Sequence, residues 1–128
     1  MLPDFLIIGA EKAGTTWLHD VMRGHPGLYL PDTKELHFFN HTDSNGRVTD
    51  RYARHGLAWY EARFDGARPG QMVGEATPLY LSDSAAPDRI RATLPEARFI
   101  IVLRDPVARS WSHYRMAVAK GHVVDPLD

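Results

Sequence analysis

The stretch "DFLIIGAEKAGTTWLHDVMR" at residues 4–23 constrains the fold more than any other part of the chain. "DFLIIG" is a short apolar run with β-branched residues that stops at glycine, the pattern of a strand buried on both faces of a parallel sheet. Thr15 to Arg23 is predicted as a helix with Trp17, Leu18, Val21 and Met22 on one face, ended by Gly24 and Pro26. Between strand and helix lies "GAEKAGTT" (9–16). Gly9 and Gly14 keep the spacing of a G-x-x-x-x-G-K-[ST] phosphate loop, but Thr15 stands where the lysine belongs and Lys12 lies inside the loop. Backbone N–H groups from Ala13 to Thr16 open the helix and converge on one point, which makes the loop an anion site. A plain strand–turn–helix connection with a solvent-facing lysine is the alternative at this stage.

"RFIIVL" (98–103) is expected to be a second buried strand. Asp105 and Pro106 then cap and open a helix predicted to reach Lys120. Strand, loop and helix in that order, twice, predict an α/β fold with a parallel sheet flanked by helices. Ligands of such sheets collect beyond the carboxyl ends of the strands. There Arg104 ends the second strand, with Arg109 and Ser112 about one turn apart on the helix. Two guanidiniums and a hydroxyl form a second anion site, unless they are a capped helix with surface ion pairs.

Shorter elements fill the interval. "LYL" (28–30) and "MVGEATP" (72–78) read as short strands, residues 57–64 and 84–94 as helices, and 40–56 as an exposed polar loop. In "KELHFF" (34–39), Glu35 stands between Lys34 and an apolar strip. Burial raises a carboxyl pKa and a lysine lowers it, so Glu35 is a candidate base with His37 on its face; a surface ion pair beside a core histidine is the alternative. His37 and His41 have a metal-binding helical spacing, but the intervening "FFN" argues against a helix, and no metal is expected. Trp59 and Tyr60 are expected to pack in the core.

Composition narrows the classes. Apolar residues make up 44% of 128, enough for a globular core, and the net charge of −1 provides no general polyanion surface, so no nucleic-acid partner is expected. The absence of cysteine excludes disulfides, thiol catalysis and cysteine-held metal. No run approaches the roughly 20 apolar residues of a membrane span, and "MLPDFLIIGA" lacks the basic start of a signal peptide, so a cytoplasmic location is expected. The chain stops at "GHVVDPLD" with no later strand, and residues 1–128 are read as a single domain, either minimal or, the favoured reading, lacking its C-terminal part.

Six segments in order, "FLIIGAEKAGTTWL", "HP", "KELHFF", "HGLAWYEARF", "GEATPLY" and "RFIIVLRDPVARSWSHY", resemble the sulfotransferases that use 3′-phosphoadenosine 5′-phosphosulfate (PAPS). The likeness is greatest to the carbohydrate branch typified by heparan sulfate sulfotransferases. It implies the N-terminal part of a sulfotransferase fold, with Lys12 at the oxygen bridging phosphorus and sulfur and Ala13, Gly14, Thr15 and Thr16 around the 5′-phosphate. Arg104 and Ser112 match the ligands of the 3′-phosphate, and Arg109 fits the pattern beside them. Glu35 aligns with the base that takes a proton from the acceptor, and His37 fills a neighbouring position. The implied reaction is in-line transfer of a sulfuryl group, without metal, to a hydroxyl or amine of a glycan, glycolipid or small molecule. It leaves 3′-phosphoadenosine 5′-phosphate (PAP). The chain departs from the carbohydrate pattern E-K-[TS]-P, reading Glu75-Ala76-Thr77-Pro78.

Two other readings are open. A P-loop kinase or NTPase expects lysine after Gly14 and an acidic residue at a strand end for magnesium, where this chain has Thr15 and Arg104. A truncated or degenerate nucleotide-binding domain would keep the anion sites without turnover.

Overall fold

A computed structural model describes residues 1–121. Its centre is a four-stranded sheet in the order β2-β3-β1-β4, formed by β1 (Phe5–Gly9), β2 (Leu28–Tyr29), β3 (Met72–Ala76) and β4 (Arg98–Ile101). Every pairing is parallel. Side chains alternate across a strand, so β1 feeds two cores. Leu6 joins Leu36, Phe38, Phe39, Tyr60 and Phe64 on one face, while Phe5 and Ile7 join Leu30 and Ala76 on the other.

Helix α1 (Thr15–Arg23) spans the predicted residues, but its inward face differs from the expected one. Trp17 and Val21 are 69% and 53% exposed, whereas Thr15 and His19 are buried and Leu18 and Met22 pack on the second core. That inward set follows i, i+3, i+4, i+7 spacing, rotated one residue from the most hydrophobic stripe. The buried polar member is satisfied: His19 Nε2 lies 3.2 Å from the Pro31 carbonyl.

Residues 40–56 are not one exposed loop. Asn40 is fully buried, and α2 (Arg51–Glu61) begins well before the predicted residue 57. Its early part is offset by a kink at Gly56, whose φ of 74° lies in the left-handed region that glycine enters at little cost. The periodic pattern breaks at that kink. After β3, α3 (Ala86–Thr93) lies within the predicted helix, and α4 (Pro106–Ala119) follows β4. The expected burial of β4 is also corrected: Phe99 and Ile101 are 53% and 48% exposed. Among the described residues no strand pairs with the outer side of β4. Nor is any described helix long and apolar enough to cross a membrane.

Packing between β1 and β3 depends on a missing side chain. A Cβ on Gly74 would lie 2.1 Å from the ring tip of Phe5, itself only 3% exposed. Gly74→Ala should therefore destabilise the fold by about 1–3 kcal/mol through overpacking, read as a lower urea midpoint. Equal stability would show that the Phe5 ring has room to move.

Candidate active site

Three segments leave the sheet at one end. Gly9 of β1 pairs with Ile101 of β4, and Ile7 pairs with Ala76 of β3, so residues 10–14, 77–80 and 102–105 emerge side by side. They border an open crevice of about 410 Å³. From the first segment, Lys12, Gly14, Thr15 and Thr16 line it. Lys12 has φ 59° and Gly14 has φ 93°, two left-handed turns that fold the loop over the start of α1. Gly14 supplies no side-chain cap and the first turn has no acidic residue. The opening N–H groups and the positive end of the helix dipole thus face the crevice.

The second cluster reaches the same space. Asp105 caps α4, its carboxylate accepting from the Ala108 N–H at 2.9 Å. Arg104 and Ser112 line the crevice, and Arg104 Nη1 donates to the Lys12 carbonyl at 3.1 Å, which ties the two candidate clusters together. Arg109 lines neither this crevice nor the adjoining hollow, where Arg115 appears instead. Ala13 is buried behind the loop.

The third cluster is held by hydrogen bonds from several parts of the fold. Residues 34–40 are neither helix nor strand, and Glu35 and His37 have φ of 63° and 52°. Several of their backbone groups are satisfied by other parts of the fold. The Glu35 N–H donates to the Ala76 carbonyl at 2.8 Å, and the Leu36 and Phe39 carbonyls accept from Arg51 and Arg89 at 2.7 and 3.2 Å. Phe38 stacks on Tyr60 with centroids 4.4 Å apart. The result is a carboxylate held between two partners: Glu35 Oε1 accepts from Lys34 Nζ at 2.7 Å, and Oε2 lies 3.3 Å from His37 Nε2. The His37 hydrogen bond, followed by Lys34, outweighs burial and brings the Glu35 pKa down to about 2. Glu35 is firmly ionised rather than raised toward neutrality. His41 pairs with Asp50 at 3.5 Å, away from His37.

Lys12, Gly14, Thr15, Thr16, Glu35, His37, Arg104 and Ser112 therefore share one crevice. Ser44, Met116 and Lys120 also line it and were not singled out from sequence. The i, i+4, i+8 spacing of Ser112, Met116 and Lys120 is a signal for the last two; Ser44 sits on a polar hairpin that carries none. At the position of the E-K-[TS]-P lysine, Ala76 is buried with Phe5, Ile7 and Leu30 and brings no charge.

Comparison with known proteins places the chain in a family. Residues 2–126 match the sulfotransferase domain family. The chain is 34% identical over 120 residues to the membrane-associated sulfotransferase kil1 of Dictyostelium discoideum, covering 91% of this chain and 23% of that protein. Against human heparan sulfate glucosamine 3-O-sulfotransferase 6 the identity is 36% over 118 residues, covering 92% and 31%. A solved sulfotransferase from Alicyclobacillus acidocaldarius superposes with a TM-score of 0.80 at 33% identity, covering 98% of this chain and 53% of that one. The chain thus spans between 23% and 31% of the length of these two curated relatives.

The clamp on Glu35 makes a measurable prediction. A depressed carboxyl pKa stabilises the fold above the unfolded value of 4.5, and that contribution is lost as pH falls toward about 2. Carboxyl NMR should follow Glu35 titrating near 2, and His37→Ala should move it up toward 4.5. A Glu35 signal titrating at 4.5 in the unaltered protein would contradict the clamp.

Proposed function

The chain belongs to the sulfotransferase domain family, and from that premise we propose that it transfers a sulfuryl group from PAPS to a hydroxyl of a glycan acceptor. The observation that carries the reading is the convergence of Lys12, the uncapped start of α1, Arg104 with Ser112, and Glu35 on one crevice. A donor with phosphate at each end needs cations at two points, and the Lys12 and Arg104 clusters offer them along one crevice. PAPS supplies the sulfuryl group and a good leaving phosphate.

The chain's own residues supply the rest. Glu35 accepts the acceptor's proton as the new oxygen–sulfur bond forms. The old bond from sulfur to the bridging oxygen breaks, and its electron pair stays on that oxygen. Lys12 and the N–H groups of Gly14, Thr15 and Thr16 meet the charge that develops there. Arg104 and Ser112 hold the far phosphate and so fix the line of attack. The glycan class is drawn from relatives named for heparan sulfate glucosamine. The buried Ala76 leaves the contacts of this acceptor to other groups on the crevice, such as Lys34, Ser44 and Lys120.

PAP should raise the melting temperature of the protein and ATP–magnesium should not, since only a ligand of the folded state stabilises by mass action. A larger shift with ATP–magnesium overturns the reading. In a radiolabelled transfer assay, Glu35→Gln should lower kcat by roughly 100-fold or more with PAP affinity kept. Lys12→Ala should lower it by at least about 100-fold and weaken PAP as well. Full turnover in Glu35→Gln would remove it as the base.

A further inference from the structure

Glu75 is the one fully buried carboxylate among the described residues, and the reaction just outlined does not use it. It lies on β3, beneath the segment that carries Glu35 and His37. Three hydroxyls donate to it. Thr77 and Tyr80 both reach Oε1 at 2.7 Å, and Tyr60 of α2 reaches Oε2.

The direction of those hydrogen bonds matters. A hydroxyl has one proton, and once Thr77 and Tyr80 have directed theirs at Glu75, their lone pairs turn outward. Both oxygens then accept from backbone. Thr77 Oγ1 takes the His37 N–H at 3.4 Å, and Tyr80 Oη takes the N–H groups of Phe38 at 3.1 Å and Phe39 at 3.4 Å. We propose that Glu75 is a positioning residue, holding residues 37–39 through the Thr77 and Tyr80 hydroxyls and so keeping the Glu35–His37 pair aimed into the crevice.

The arrangement works whichever protonation state Glu75 adopts. Burial raises its pKa, favouring the neutral acid. In the neutral acid the proton sits on Oε2 and the Tyr60 hydroxyl becomes its acceptor instead of its donor, while Oε1 still accepts from Thr77 and Tyr80. Glutamine keeps the acceptor at Oε1 for Thr77 and Tyr80, with its amide donating to the Tyr60 oxygen in place of the bond it received. Leucine has none of it.

The test compares Glu75→Gln, Glu75→Leu and the double variant Thr77→Val with Tyr80→Phe, all in the full chain. It reads amide hydrogen exchange at residues 37–39, PAP affinity and kcat. Glu75→Gln should keep protection and turnover. The other two should speed exchange at 37–39 and lower kcat by roughly 10- to 100-fold, as expected for a displaced reacting group, with the PAP dissociation constant unchanged. If Glu75→Leu does not fold, the double variant carries the comparison. Unaltered exchange at 37–39 in the double variant, or PAP affinity falling in step with kcat, overturns the proposal. The kcat arm rests on the sulfuryl-transfer reading and the exchange arm does not. A wild-type chain that neither binds PAP nor transfers sulfate therefore refutes that reading, and exchange at 37–39 still decides the role of Glu75.

Discussion

The parallel pairing of β1 with β3 on one side and β4 on the other is the constraint from which the site follows. Parallel strands all point one way, so the loops after β1, β3 and β4 must gather at one edge of the sheet. The register sharpens this: Ile7 lies beside Ala76, and Gly9 beside Ile101. Lys12, the Thr77–Tyr80 turn and Arg104 thus reach the same level although they lie up to 92 residues apart in the chain. Buried apolar side chains on both faces of β1 fix that register, because a slip of one residue would turn Leu6 toward the wrong core.

A second constraint operates on residues 35–42, which cross the site without joining the sheet. Two left-handed residues there, Glu35 and His37, each cost of order 1–3 kcal/mol. The cost is offset locally. Phe38 and Phe39 are fully buried, and each such side chain contributes about 1.5–3 kcal/mol. Arg51, Arg89 and the Thr77 and Tyr80 hydroxyls then take up the backbone groups that no neighbouring strand can reach. At the far end, Asp83 accepts from the His41 N–H at 3.0 Å. The apolar residues fasten the segment while the polar ones set its path.

This division explains what could be read from the residues alone. The strands at 5–9 and 98–101, the helices that follow them and the glycine-bounded loop at 9–14 all rest on local periodicity and glycine placement, which sequence displays directly. The convergence of Lys12 and Arg104 was legible through the topological rule for parallel sheets, whereas Glu35, which lies on no strand, came to the site only through the family resemblance. Other features were hidden because they depend on distant partners. The inward face of α1 is set by the Pro31 carbonyl that receives His19, and the exposure of β4 by which strands adjoin it. Glu75 lies in the quoted stretch "GEATPLY", yet its importance comes from Tyr60, Thr77 and Tyr80 closing around it. The shared face of Glu35 and His37 was legible, but the lowered pKa of Glu35 was not, because it follows from a specific His37 hydrogen bond that outweighs burial.

The grip of Lys34 and His37 on Glu35 has a chemical consequence of its own. The neighbours that aim the carboxylate also hold its electrons, and an oxygen so stabilised has little appetite for a proton. Alignment and basicity are therefore traded against each other at a single side chain. In the proposed transfer, Glu35 becomes a stronger base only to the extent that one of its two partners lets go, which would make the arrival of an acceptor hydroxyl and the loosening of an ion pair two halves of one event.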